Sequence, residues 1–578
     1  MAKIHNLKIK NFRGISDFDQ TFFGRNFVCL IGRGDSGKST ILEAISSVLS
    51  PQWNLPFQDS DFTNCDTNTP IEIEATLIEL PSKLIQDDKY GLYIRGVTPT
   101  CVSDELEDSH EIGLTIRLIV KKDLEPRWFV YNERQGRASI SSTDRSKLNV
   151  FMVSDYVDRH FSWNRGNPLY ALLKQEDSEE RNDDEDDEDT VVTALREAKS
   201  KIDAHPFSEL NVALKKVIDS AKILGIDISN AKNTLDFKEL LGKESKLSLH
   251  ESKIPFRLKG KGSKRLTSIA IQTALVDSGG IMLIDEIEQG LEPDRAQHLA
   301  KALKEGKVGQ VFITTHSRDV VVELVTSDLF LVKSSENHLK TFSGNLQGAL
   351  RKNPEAFFAK KVIICEGLTE MGICRALNKF KVSKGHSSAA VQGVRLADGT
   401  GSHIVEYTDG FIEVDYPTCL FCDSDVDKKD KKLSENKERL KKAGVLLVDW
   451  DQGDSLEVAI TNNLPPDGVS ALLELAARIK EEDHANLSTE DCTKAIWDSV
   501  KSKFGSHCPG EFSSDTDTKA LRIAIGRAAG SGIGWFKNME KGNRLGDLVF
   551  KYWEALPIDN KLKKQLCVLS EFIDGNGL

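Results

Sequence analysis

The chain has 578 residues, 39% of them hydrophobic and 29% charged; it is too long for one core, so two or three domains are expected, and too ordinary in composition for a disordered or membrane-embedded chain. The formal net charge of -12 would argue against a nucleic-acid partner, except that residues 176–189, EDSEERNDDEDDED, gather eleven acids and one arginine and account for nearly all of it. The remainder is close to neutral and free to carry local basic patches, while the acidic block cannot pack and reads as a solvated loop or linker.

In chain order, the opening MAKIHNLKIKNF has no apolar signal core, and no uninterrupted apolar run reaches membrane-spanning length. A cytoplasmic protein without a membrane partner is expected. Two strand-like runs lead to NFVCLIG, followed by the glycine-rich turn GRGDSGKST and a helix from about Lys38. Between residues 70 and 131 the alternating runs IEIEATLIEL, IGLTIRLIV and RWFVYN read as antiparallel strands. Residues 155–241, around the acidic run, read as mostly helical. LKGKGSKRLTSIAIQTAL then offers a Gly-Ser turn at 260–263 before an apolar helix. IMLIDEIEQG and QVFITTHS return as short, fully apolar strands of the kind buried in a parallel sheet. A second alternation begins near Asn353 with KKVIICEG, TCLFCDSD and GVLLVDWD, which implies another α/β domain. Residues 465–519 read as a helical insertion into it. Cys419 and Cys422 form a C-x-x-C without a second pair or nearby histidine, so they read as small buried residues of a reduced chain rather than zinc ligands.

Residues 32–40 fit G-x-x-x-x-G-K-[ST] between a strand and a helix. Gly32, Gly34 and Gly37, with Asp35 and Ser36 between them, turn backbone N–H groups toward phosphate oxygens. Lys38 reaches the terminal phosphates, and Ser39, followed by Thr40, offers a hydroxyl to magnesium. Far along the chain, Asp285 is placed to hold that magnesium through water and Glu286 to polarise the attacking water. His316, ending the next apolar strand, is placed to sense the terminal phosphate, and Gly262 and Ser263 stand where a helix N-terminus favours an anion. ATP and Mg2+ are the expected ligands. These residues resemble the ABC ATPase head of the RecF, Rad50 and SMC families: LKIKNFRGI looks like the N-terminal strand and turn, residues 260–265 occupy the place of the signature motif, and Glu292 and Pro293 that of the D-loop. The resemblance implies a dimer that sandwiches ATP. The usual Asn-Gly of the P-loop is Gly34-Asp35 here and the signature lacks its Gln, departures that bear on hydrolysis rate more than on nucleotide binding. QDSDF, residues 58–62, is either the Q-loop or an ordinary surface loop.

The stretch TCLFCDSDVDKKDKK sets Asp423, Asp425 and Asp427 at alternate positions after an apolar run. A calcium loop of EF-hand type would need Gly and Glu where Lys428 and Ser434 stand, and is excluded. A haloacid-dehalogenase phosphotransferase also begins apolar-D-x-D and stays open, as does a solvated run for Asp427 and the lysines beyond it. Upstream, KKVIICEGLTE ends a strand in Glu366 and Gly367, with Glu370 four residues on and facing the same way along a helix. Adjacent strand ends would join Glu366, Asp423 and Asp425 at the carboxyl edge of a parallel sheet. Carboxylates without His or Cys favour the hard cations Mg2+, Mn2+ or Ca2+.

A strand ending in Glu-Gly followed by one ending in Asp-x-Asp resembles the Toprim domain. An ABC head followed by Toprim is the layout of the OLD family (overcoming lysogenization defect), which includes the Gabija nuclease subunit and some retron effectors. The resemblance implies Glu366 and Glu370 as a first acidic pair and Asp423 and Asp425 as a central pair. It further implies Ser455 and Glu457 of DSLEVAI as a later acidic motif, and Lys537, in preference to Lys541, as the late lysine. Glu366, Glu370 and Glu457 are expected around one ion, with Asp423 and Asp425 around the other or bridging. The α/β organisation expected is an ABC head in two parts, residues 1–150 and 242–350. Residues 151–241 would be a helical dimerisation insert, and residues 351–578 a Toprim domain. The function implied is a cytoplasmic, homodimeric or larger, ATP-binding and metal-dependent endonuclease of double-stranded DNA in anti-phage defence, with a helicase or reverse transcriptase as possible company. The alternative is an ATP-driven DNA-repair clamp of the RecF or SMC kind, without nuclease activity. The lysines at 428, 429, 431 and 432, and the basic run 259–265, are candidates for guiding a phosphate backbone.

Overall fold

The computed structural model describes the chain except for residues 1, 23, 155–156, 163–166, 170, 173–207, 236–246, 277–279, 307–308, 425–430, 452, 485, 533 and 577–578. The acidic run 176–189 and Asp425 therefore lie outside the described residues. The chain divides into two compact units, Met1–Thr341 and Phe342–Leu578.

Among the described residues the first unit holds three sheets, two of them large. One is an eight-stranded antiparallel sheet that includes Lys3–Phe12, Ile71–Ile78, Glu111–Val120 and Pro126–Asn132. Alternate side chains of Ile71–Ile78 are fully buried, as the period of a half-buried strand requires. The other sheet is built from β1 (Phe27–Ile31), β2 (Val150–Val153), β3 (Ile281–Ile284), β4 (Gln310–Thr314), β5 (Leu329–Leu331) and β6 (Lys340–Thr341), in the spatial order β2-β3-β4-β1-β5-β6. Only the β5–β6 pair is antiparallel. β1, β3 and β4 are buried along their whole length, so their apolar runs do not alternate. Helix α1 (Lys38–Val48) leaves the end of β1, α2 (Lys261–Val276) precedes β3, and α3 (Pro293–Glu305) joins β3 to β4. α2 starts at Lys261, so the turn expected at 260–263 is shorter: Gly262 and Ser263 already lie in the first helical turn. Within 155–241 the described residues hold a helix, Ser208–Ile223, and also the strand Ala231–Leu235 paired with Leu247–Glu251. AKNTL is too polar and too short for its period to reveal that strand.

The second unit is built on four parallel strands, β7 (Lys361–Cys365), β8 (Val394–Asp398), β9 (Thr418–Phe421) and β10 (Leu446–Val448), in the order β8-β7-β9-β10. Its helices include α4 (Leu368–Ser383), α5 (Ile404–Glu413), α6 (Lys431–Lys442), α7 (Leu456–Asn463), α8 (Lys519–Gly530) and α9 (Met539–Lys551). Two further helices, Pro466–Asp483 and Thr489–Phe504, fill the stretch between α7 and α8. Cys419 and Cys422 are buried free thiols. Among the described residues no helix is long and apolar enough to cross a membrane.

Candidate functional site

In the first unit, β1 delivers the chain into the loop 32–37 and α1 takes it away. Gly32 sits at φ 151°, and a Cβ there would lie 2.6 Å from the Val332 carbonyl oxygen, so only glycine fits this exit from the sheet. Gly34 and Asp35 are exposed at the loop tip, with Asp35 left-handed at φ 59°. Gly37, at φ 100°, is the N-cap of α1, and Ser39 and Thr40 lie in its first turn. Lys38 is buried; its ammonium donates to the carbonyls of Arg33 (2.7 Å) and Gly32 (3.2 Å) and approaches Ser36 Oγ at 3.4 Å. Burial lowers its pKa against the pull of Asp285, Glu286, Asp35 and Glu288.

The end of β3 faces this loop. Ser39 Oγ donates to Asp285 Oδ1 at 2.9 Å, and Thr314 Oγ1 donates to the same oxygen at 2.7 Å. Glu286 follows in a left-handed conformation, φ 46°, with its N–H on Thr314 Oγ1. Two groups here escape motif reading. Glu288 accepts the Thr315 hydroxyl and the His316 N–H, each at 2.7 Å, and so ties the loop after β3 to the end of β4. Its spacing, three residues after Asp285 beside an otherwise apolar run, is the one signal for it. Arg265, on α2, is buried and donates to the carbonyls of Asp285 and Glu286 and to Gln289 Oε1. His316, at the end of β4, is held below the usual imidazole range by partial desolvation and then by the Lys38 ammonium. Gly262 touches the loop after β3: a Cβ would come 2.5 Å from the Gly290 carbonyl oxygen. Within the basic run 259–265, Lys259 pairs with Glu251, Lys264 with Asp158, and Arg265 donates to backbone. A cavity beside the P-loop is lined by Ile15, Phe18, Ser36, Ile41, Val332 and Leu339.

In the second unit, β7 and β9 run side by side, Cys365 opposite Phe421. This adjacency brings together residues far apart in sequence. The Asp423 N–H donates to Glu366 Oε2 at 2.7 Å, and Asp423 Oδ1 accepts the Leu456 N–H at 2.7 Å at the start of α7. Ser455 is the N-cap of α7, and its hydroxyl donates to Glu457 Oε2 at 3.0 Å. Gly530, at the end of α8, lies against Glu457: a Cβ there would stand 3.1 Å from Oε2. Glu366 lies outside α4, between strand and N-cap, so it does not share a helical face with Glu370 as expected. Glu370 instead reaches back from the N3 position of α4 to accept the Gly367 N–H at 3.0 Å.

Glu370 and Glu457 are 6% and 5% exposed. Burial, then Glu457 and Glu366, push the Glu370 carboxyl up to about 8. Burial, then Glu370, Glu366 and Glu457, raise Asp423 well above the usual carboxylate range. The four acids thus share one electrostatic field whose energy falls when a cation or protons enter. Their oxygen-only donor chemistry suits a hard divalent cation. Each already spends an oxygen or a neighbouring N–H on the protein, and among the described residues no three or more His, Cys, Asp or Glu side chains are arranged to hold a metal ion.

The late lysines separate clearly. Lys541 Nζ is paired with Asp483 at 2.5 Å, whereas Lys537 is exposed, lies over Gly534 and forms no ion pair with a described residue. Lys437, on α6, escaped the motif pattern altogether: it is buried and its ammonium donates to the Asp423 carbonyl at 2.7 Å.

Against known proteins, residues 2–152 match the family described as AAA ATPase domain, and residues 169–323 the family described as AAA domain, putative AbiEii toxin, Type IV TA system. Residues 357–425 match the overcoming lysogenization defect protein-like TOPRIM domain, a span that contains Glu366, Glu370 and Asp423 and ends before Glu457 and Lys537. No curated protein matches. Among solved structures, an Smc head bound to the C-winged helix domain of ScpA is 14% identical, covering 58% of this chain and 96% of its own, with a TM-score of 0.36. The recombination mediator RecF with ATP is 12% identical, covering 59% and 98%, with a TM-score of 0.35. An Smc head from Pyrococcus furiosus is 14% identical, covering 59% and 96%, with a TM-score of 0.34.

Proposed function

Because the chain carries AAA ATPase domains followed by an OLD-like TOPRIM domain, we propose that it is an ATP-binding, metal-dependent DNA endonuclease whose nuclease site is the carboxylate centre at the ends of β7 and β9. The observation that carries this is the contact between Asp423 N–H and Glu366 Oε2 at 2.7 Å, which joins two acidic strand ends in a field shared with Glu370 and Glu457. Glu366, Glu370, Asp423 and Glu457, with Ser455 beside them, would hold Mg2+, Mn2+ or Ca2+, and Asp425 belongs to the set by its sequence position alone. Such cations supply charge stabilisation for the attacking and leaving oxygens of a phosphodiester. The protein's own part is to hold the acids close together and aimed: the helix N-terminus orients Asp423, the N–H of Gly367 orients Glu370, and the Ser455 hydroxyl orients Glu457. Lys537, exposed and unpaired with any described residue, would offset phosphate charge.

In the ATPase unit, Lys38 and the N–H groups of the P-loop would bind the phosphates, Ser39 and Asp285 the magnesium, and Glu286 and His316 the water and terminal phosphate. Nucleotide state would gate the nuclease. A homodimer acting on double-stranded DNA in anti-phage defence, alone or beside a helicase or reverse transcriptase, completes the reading. The test uses purified full-length protein with supercoiled plasmid in Mg2+ and then Mn2+, comparing wild type with Asp423→Ala. Nicking should fall by at least about 100-fold; a variant that nicks as well as wild type would falsify the assignment.

A further inference from the structure

Helix α6 is rich in lysine and glutamate, and Glu435, Glu438, Arg439, Lys441 and Lys442 along it are exposed. Lys437 departs from that pattern. It is 4% exposed and stands three residues before the fully buried Leu440, on the face where the helical period calls for an apolar side chain. A buried ammonium costs several kcal/mol unless it is well partnered, so its partner is informative. One such partner is the carbonyl oxygen of Asp423, 2.7 Å from Nζ.

We propose that Lys437 is a positioning residue of the carboxylate centre, fixing the exit of β9 so that the Asp423 carboxylate is presented for divalent-cation binding. The inference rests on the reading of that centre as a cation site. The geometry is specific. Asp423 is held through its N–H by Glu366 Oε2 and through its carbonyl by Lys437, so the peptide planes on both of its sides are anchored. The next residue, Ser424, is 1% exposed and bonded both ways to the loop before α7: its N–H to the Asp454 carbonyl at 3.0 Å, its carbonyl from the Gly453 N–H at 2.8 Å. With the backbone fixed on every side, Asp423 Oδ1 keeps its place against the Leu456 N–H. The bond to Asp423 goes to its backbone carbonyl, so it occupies neither side-chain oxygen of that residue. An internal cation of this kind also offsets part of the repulsion among the four clustered acids, two of them buried, without occupying their oxygens.

Positioning and plain charge predict opposite signs. A nearby ammonium that acted only through its charge would repel a divalent cation, so removing it would tighten binding. A positioning residue, when removed, loosens binding, typically by about 10–100-fold for groups that orient metal ligands. The experiment measures Mn2+ affinity of metal-free, full-length protein by the electron paramagnetic resonance signal of free Mn2+, for wild type, Lys437→Met, Lys437→Gln and Lys437→Arg. Folding is checked by circular dichroism. Both neutral variants should bind Mn2+ about 10–100-fold more weakly, and Lys437→Arg should recover most of the loss. A folded Lys437→Met or Lys437→Gln that binds Mn2+ as well as or better than wild type overturns the proposal. If neither neutral variant folds, Lys437 is a structural cation and the proposal is equally overturned. A wild-type chain that binds no Mn2+ refutes the cation-site reading itself, and this inference with it.

Discussion

At position 370 one carboxylate meets two demands. Its oxygen closes the N-terminus of α4 on the Gly367 N–H, and its charge sits in a buried field of Glu457 and Glu366 that raises its pKa to about 8. In the metal-free protein the folded state therefore keeps the proton up to about pH 8, whereas the unfolded chain releases it near the ordinary glutamate value of 4.5. Folded chains bind more protons across that window, so stability is highest below it and falls as pH rises from about 4.5 to about 8. Glu370→Gln keeps the acceptor for the cap and removes the charge. Without metal it should be more stable than wild type at pH 8 by about 1–3 kcal/mol, with a flatter dependence on pH. Thermal unfolding in chelator at pH 5 and pH 8 decides this, and parallel curves for the two proteins would refute it. The residue scale is also where sequence is least legible. Acids at strand ends announce themselves because carboxylates rarely follow fully apolar runs without a use. Lys437 is hidden among the lysines of its own helix, and Glu288 behind the better-known Asp285 and Glu286. Glu288→Ala should leave nucleotide binding nearly intact yet slow ATP turnover, because His316 and Thr315 lose the bonds that fix the end of β4. Equal turnover in wild type and variant would count against that role.

Among the elements, α4 matters most, because it carries Glu370 and packs on α9 through glycines. A Cβ at Gly372 would stand 2.5 Å from the Asn543 nitrogen and the Gly542 carbonyl carbon and 2.6 Å from the Met539 oxygen. All three atoms are backbone, so no side-chain rotation relieves the clash and the helices must separate. Alanine favours a helix over glycine by about 1 kcal/mol, but overpacking of this kind costs about 1–3 kcal/mol or more. Gly372→Ala should therefore destabilise the second unit and, by shifting α4, weaken Mn2+ binding; a variant with unchanged melting temperature and affinity would show that the crossing tolerates the extra methyl. Elements of this sort divide sharply in how readable they are. β1, the P-loop and α1, and the strands β3, β4, β7 and β9, show in the sequence because burial on both faces leaves unbroken apolar runs. The close crossing of α4 and α9 does not, since a glycine in a helix says nothing about which partner approaches it. The order β8-β7-β9-β10 is not written in periodicity either; the sequence carries only the expectation that the strand ends bearing Glu366 and Asp423 adjoin.

For the whole molecule, the nucleotide ligands belong to Met1–Thr341 and the carboxylates to Phe342–Leu578, each with its own buried core. Two separately folded sites in one chain are coupled only if ligand at one changes the free energy of a state at the other, and a coupling of about 1–3 kcal/mol would appear as a 5–150-fold change in rate. Gating therefore predicts that plasmid nicking by wild type differs by such a factor between no nucleotide, ATP and a non-hydrolysable analogue. Lys38→Ala, which loses the ammonium now held by the Arg33 and Gly32 carbonyls, should nick at the nucleotide-free rate under all three conditions. Glu286→Gln separates binding from turnover: it should bind ATP and respond to it as wild type responds to the analogue. Thermal shift supplies the control for occupancy, since ligand at 100 times its Kd stabilises the folded state by about 2.7 kcal/mol, a shift wild type should show and Lys38→Ala should lack. If wild type binds ATP by that measure and still nicks at one rate in every condition, the two sites act independently and the gating reading is wrong. If Lys38→Ala alone loses the response while retaining nicking, the signal originates at the P-loop and the carboxylate centre is its receiver.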